Sequence, residues 1–239
     1  MSRFHKILIL LACLGLLATG YGLRVTSYEL LPAAFAQTPP LQAIVTWQAH
    51  NFYPSNYSGK AAATLNSQVV VSVTVVQDNK ILDLSDANFI WYVDGKFFNR
   101  GKGLSEIVFR INKLRGDEYF VRAVVSLGEG ERVETSFTIP VLSQHTVIEV
   151  LHPNNIVLRG EQAVFQAVPY FFNVTSFDDF VFFWSIDNQD QQDQRGSRLV
   201  LNIGTSPSLI ATDILISATV SNTLNPIEST KSNIRLTIL

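Results

Sequence analysis

The chain has 239 residues, of which 47% are hydrophobic and 16% charged, and a formal net charge of −2. That length holds one large domain or two of about 100 residues, and the composition excludes a disordered chain. The charge balance excludes bulk attraction to nucleic acid or to an anionic membrane surface, and a single cysteine, Cys13, excludes an intrachain disulfide.

The first expected element is an export signal. Arg3, His5 and Lys6 precede an uncharged run over 7–23, and Ala34-Phe35-Ala36 before Gln37 has the small-residue pattern of a signal peptidase site. The apolar run is about as long as the shortest spanning helices. Residues 1–36 therefore read either as a signal peptide cleaved after Ala36 or as a retained N-terminal membrane anchor. Both readings make the remainder extracytoplasmic, secreted or anchored to the cell membrane, with membrane contact through this segment alone. Residues 37–43, with Pro39-Pro40, cannot extend a helix and read as a linker.

Residues 44–142 are expected to form a first β-sandwich. An edge strand over 44–49 is followed by a long connection containing Pro54 and Gly59. Residues 68–76 form the clearest strand, with Val69, Val71, Val73 and Val75 on one face. Next comes Phe89-Ile90-Trp91-Tyr92-Val93-Asp94, where Phe89, Trp91 and Val93 share one face, and Asp94-Gly95 signals a hairpin turn. Ile107, Phe109 and Ile111 alternate with Val108, Arg110 and Asn112. Tyr119, Val121, Ala123 and Val125 face inward against outward Phe120, Arg122 and Val124, and a last strand over 133–141 carries Phe137 and Ile139.

Residues 143–239 repeat that order as a second sandwich. Trp91 and Trp184 lie 93 residues apart, Phe109 and Leu201 92, and Ala123 and Ala218 95, a nearly constant offset that a duplicated unit explains. The expected strands span 146–150, 162–168, 180–187, 198–203, 213–221 and 232–238, and no helix-period segment follows residue 40. Trp91 and Trp184 are the expected core centres, each large enough to fill the gap between sheets packed about 10 Å apart. Short strands separated by turn signals give an all-β chain of two tandem immunoglobulin-like antiparallel sandwiches.

The pattern Trp-x-[Val/Ile]-Asp at Trp91 to Asp94 and Trp184 to Asp187, followed by Glu118-Tyr119-Phe120-Val121-Arg122-Ala123-Val124-Val125 and a closing strand, resembles PKD-like and other bacterial immunoglobulin-like domains of secreted proteins. The resemblance covers both units. It implies surface spacing, adhesion or protein contact, and seldom catalysis; the fold alone does not fix a function.

Three constellations are candidate sites. Asp187, Asp190 and Asp193, with Asp178 and Asp179 before the same strand, offer carboxylates to calcium, although the spacing is not that of an EF-hand loop; no other cofactor is expected. Lys96, Arg100, Lys102, Arg110, Lys113 and Arg115 are opposed over 96–115 by Glu106 alone, whereas 143–239 holds five basic and nine acidic residues. The basic group could steer a partner or simply keep the surface soluble. Tyr53, Tyr57 and Tyr170 lie beside turns, where aromatic rings stack on sugars, anchor protein partners or cap a sandwich core. Asn56-Tyr57-Ser58 and Asn173-Val174-Thr175 match glycosylation acceptors, and no nucleophile, phosphate loop or dinucleotide motif is present. The leading expectation is a non-catalytic structural or adhesive protein whose partner is a protein or glycan at the cell surface. The alternatives are a glycan-binding accessory module and an assembly component of a pilus or secretion apparatus.

Overall fold

The computed structural model describes residues 40–150, 152–205 and 210–239; the expected export signal or anchor, the cleavage position at Ala36 and the start of the linker lie outside them. Among the described residues no helix is long and apolar enough to cross a membrane. The strands in chain order are β1 (Gln42–His50), β2 (Ala63–Thr64), β3 (Gln68–Gln77), β4 (Lys80–Ile81), β5 (Asn88–Val93), β6 (Lys96–Lys102), β7 (Glu106–Arg110), β8 (Glu118–Ser126) and β9 (Arg132–Leu142). They continue with β10 (His145–Val150), β11 (Ile156–Val157), β12 (Gln162–Tyr170), β13 (Phe180–Ile186), β14 (Gln189–Asp190), β15 (Arg198–Asn202), β16 (Thr212–Asn222) and β17 (Ser229–Ile238).

Pairing sorts these strands into two copies of one plan. In the first, β3 pairs with β1 along one edge and with β7 and the short β4 along the other, while β2, β9, β8, β5 and β6 make the second sheet. In the second copy, β10-β12-β15 accompanies β11-β17-β16-β13-β14. Each copy even repeats a two-residue parallel strand, β2 on β9 and β11 on β17. The chain is thus all-β and built of tandem immunoglobulin-like sandwiches, as the alternation of apolar residues predicts.

The duplication holds at the level of single residues. Trp91 stands opposite Ala123 and Trp184 opposite Ala218. Both indoles are buried, at 0% and 1% exposure, each in a separate apolar core. A buried indole N–H needs an acceptor: Trp91 Nε1 donates to the Leu104 carbonyl and Trp184 Nε1 to the Gly196 carbonyl, both at 2.9 Å. Tyr119, at the start of β8, ties its sheet to the preceding loop, its hydroxyl accepting from the Asn112 amide at 2.9 Å. A tyrosine so placed recurs in immunoglobulin-like folds.

The hairpins after the two tryptophan strands use the same left-handed backbone. Asp94 and Gly95 have φ of 51° and 74°, and Asp187 and Asn188 have 48° and 66°. A type I′ turn needs positive φ at both central residues, and Asn and Asp tolerate it better than other non-glycine residues. The second turn therefore keeps its shape without the glycine.

Candidate interaction surfaces

The two cores meet through a reciprocal exchange of aromatic rings. Phe52 leaves the first sandwich and packs against the second core, edge-on to Phe180 with ring centroids 5.0 Å apart. Phe171 leaves the second sandwich and is buried in the first core. Their backbones are laced together: Phe52 N donates to Phe172 O at 2.7 Å, and Phe171 N donates to Phe52 O at 2.6 Å. Phe171 adopts φ of 64°, a costly backbone for a bulky side chain that persists where its surroundings hold it. Here the Thr64 hydroxyl donates to the Phe171 carbonyl at 3.0 Å.

A buried carboxylate completes this joint. Glu228, 4% exposed, accepts through Oε1 from Gln144 Nε2 at 3.0 Å and from Asn173 N and Nδ2 at 2.8 Å, and through Oε2 from Asn222 Nδ2 at 2.7 Å. Asn173 Nδ2 also reaches across to Leu65 O at 2.9 Å. That nitrogen is fully committed, so Asn173 does not present a free glycosylation acceptor despite its Asn-x-Thr pattern.

The sequence-predicted aromatic residues gather at this joint. Tyr57 packs edge-to-face on Tyr53, Tyr170 and Phe171 with centroids 5.8, 5.7 and 5.5 Å apart, and all three tyrosines are half-buried. His145 stacks flat on Tyr170 at 5.0 Å. Burial lowers the His145 imidazole below its ordinary value, against a smaller opposing contribution from the backbone of Ser143. Tyr53 additionally borders an open cleft of about 670 Å³ between the sandwiches.

The basic residues do not form one patch. Lys96, Arg100 and Lys102 lie on β6, an exposed edge strand, with Lys102 paired to Asp86 at 2.7 Å. Lys113 Nζ pairs with Asp94 Oδ2 at 2.7 Å and sits over the Tyr119 ring. Partial burial pushes the Asp94 carboxyl up, but Lys113 and the Phe120 N–H outweigh it and hold the group below its usual range. Arg110 lies on β7 in the opposite sheet. Charges along an exposed edge discourage another strand from pairing there. The register shift at Trp91/Tyr92, which leaves Phe98 out of the ladder, adds to that protection.

The face next to this edge is different. Phe97 on β6, Tyr92 on β5 and Arg122 on β8 occupy paired positions across the sheet. The Arg122 guanidinium stacks 4.1 Å from the Tyr92 ring centroid and binds Glu134 at 3.1 Å. Phe97 is 60% exposed and Phe120, on the same face of β8 as Arg122, is 46% exposed. The alternation along β8 already turns Phe120 and Arg122 outward; Tyr92 and Phe97 become their neighbours only through the β5–β6 hairpin.

For the acidic candidates, Asp187 caps the second turn, its Oδ1 accepting from Leu215 N at 2.8 Å. Asp190 lies on β14 and Asp193 beyond it. Asp178 and Asp179 occupy a 3-10 turn at the opposite end of β13, about 26 Å from Asp187 at strand rise. The five carboxylates therefore do not share one end of the sandwich. Among the described residues no group of three or more His, Cys, Asp or Glu side chains is placed to hold a metal ion.

No protein-family model matches the chain, and no curated protein matches it. Among solved structures, the fibronectin(III)-like modules of Clostridium thermocellum CbhA align at 13% identity over 82% of this chain and 93% of theirs, with a TM-score of 0.31. Three N-terminal domains of the bacteriophage RB49 Hoc capsid protein align at 9% identity over 83% of this chain and 59% of theirs, with a TM-score of 0.44. Bacteroides ovatus SGBP-B, in complex with a mixed-linkage heptasaccharide, aligns at 12% identity over 81% of this chain and 47% of its own, with a TM-score of 0.25. On its own strand order and register, the described chain is a tandem of immunoglobulin-like β-sandwiches.

Proposed function

We propose that the protein is a non-catalytic, extracytoplasmic interaction protein that engages a protein partner through the outer face of its first five-stranded sheet. The observation that carries this reading is the outer row of exposed Phe97 and half-buried Tyr92 and Arg122, with exposed Phe120 beside it. Aromatic rings and arginine are the side chains in which binding energy concentrates at protein interfaces. The guarded β6 edge supports docking on the face over addition of a partner's strand. The aromatic joint supports a rigid presentation of that face, which limits the ordering cost of binding. Location outside the cytoplasm rests on the basic flank, the apolar run over 7–23 and Ala34-Phe35-Ala36.

A photo-crosslinking residue at position 97, in the full-length chain expressed in its native cells, tests the reading. A discrete protein adduct that disappears when Phe120 is changed to Ser supports it. Adducts that are absent, or unaffected by that change, count against it.

A further inference from the structure

The cleft between the sandwiches has a chemistry distinct from the aromatic face. Its volume is about 670 Å³, and no Asp or Glu lines it. One wall is a row across the four-stranded sheet of the first sandwich: His50 on β1 stands opposite Gln68 on β3, which stands opposite Arg110 on β7. Directly opposed side chains on one sheet face have Cβ atoms about 5 Å apart. The row therefore sets an imidazole, a carboxamide and a guanidinium side by side along one wall. Asn173 and Thr175 line the cleft from the second sandwich and Tyr53 borders it.

The side chains of the row are largely uncommitted. Arg110 makes one long hydrogen bond, 3.4 Å to Asn66 O, and no ion pair among the described residues. Two carboxamide oxygens of the lining, Asn51 Oδ1 and Asn173 Oδ1, are buried without a donor. Their amide nitrogens donate to Ala62 O and to Leu65 O and Glu228, which fixes the orientation of both side chains. The exposed Gln68 carboxamide offers a donor and an acceptor side by side, the complement of adjacent hydroxyls. A lone guanidinium in a cleft without carboxylates matches a carboxylate bidentately.

We infer that the cleft binds a saccharide bearing a carboxylate, its acid on Arg110 and its hydroxyls on Gln68, His50 and Thr175. This goes beyond the protein-docking reading and uses the opposite sheet of the first sandwich. The joint preorganises the site, since the backbone around Phe172 and Asn173 is tied to both cores. The acidic Glu228 is turned away into its own ring of donors.

The experiment is a titration of the full-length chain with galacturonate, glucuronate and sialate oligosaccharides and with their neutral methyl esters. Binding of at least one acid form, weakened about tenfold or more by esterification and by Arg110→Gln, is expected, because a charge-assisted hydrogen bond contributes at least one decade of affinity. Gln68→Ala should weaken the same ligand to a smaller degree. Retained melting temperatures for both variants, each altered at an exposed position, separate loss of the site from loss of the fold. Failure of every acid form to bind, or equal binding by acid and ester, overturns the inference, as does an Arg110→Gln chain that binds as well as the parent.

Discussion

Phe52 and Phe172 form an isolated antiparallel bridge, a single rung of sheet that joins residues 120 positions apart and ties one sandwich to the other. Around it the neighbouring rings are exchanged, Phe52 into the second core and Phe171 into the first. Neither core is complete without a ring from the other half. This couples the stability of the two sandwiches, and the consequences below follow from that coupling and from the surfaces it fixes.

Removing the Glu228 carboxylate should loosen the joint before it affects either core. Glu228→Ala leaves the donors on Gln144, Asn173 and Asn222 without their acceptor, a loss of about 3 kcal/mol at a buried charged hub. Glu228→Gln keeps an acceptor for Asn173 but sets an amide against Asn222 Nδ2, and should cost less. Urea unfolding of the two variants checks the order and size of the effects.

Each indole should prove structurally decisive. Trp91→Ala and Trp184→Ala remove the largest buried side chains of their cores and should each cost roughly 3–5 kcal/mol. Because the cores share rings, each change should also lower the unfolding midpoint of the other half, readable by fluorescence of the remaining core tryptophan in a chain whose Trp47 is replaced by Phe.

Phe97→Ser and Phe120→Ser should leave stability within about 0.5 kcal/mol, since both rings lie on the exposed face. Phe120→Ser should also remove the adduct formed from position 97. A calorimetric melt run beside the crosslinking assay separates the two effects.

Acidification should weaken the joint through His145. Burial depresses its folded-state pKa below the ordinary 6.5, so the unfolded chain takes up the proton more readily. The contribution is fully present above pH 6.5 and is lost as pH falls through the lower folded-state value. Stability should therefore drop between neutral pH and about pH 5 by more in the parent than in His145→Gln, as denaturation midpoints across that range would show.

The strands and both core tryptophans were legible because a half-buried strand writes itself as alternation: Val69, Val71, Val73 and Val75 in β3, and Tyr119, Val121, Ala123 and Val125 in β8. β6 was not legible. It is an edge strand whose residues are almost all exposed, so no inward parity marks it, and with it went the proximity of Phe97 to Tyr92. The joint was hidden for another reason. Phe52 and Phe171 sit in connections without periodicity, and their exchange depends on pairing between distant segments that no local pattern encodes. Tyr53, Tyr57 and Tyr170 were visible as aromatic residues beside turns, but their packing on one another is a product of that same long-range pairing.

The most direct test of the central claim, that shared rings and one buried carboxylate lock two duplicated sandwiches into a single body, is a spin-label distance measurement. Labels at Ser136 and Asn233, exposed positions on β9 and β17, would be placed in the full-length chain with Cys13 changed to Ser. One narrow distance distribution, broadened by Glu228→Ala, is the predicted result. A broad distribution in the otherwise native chain would contradict it.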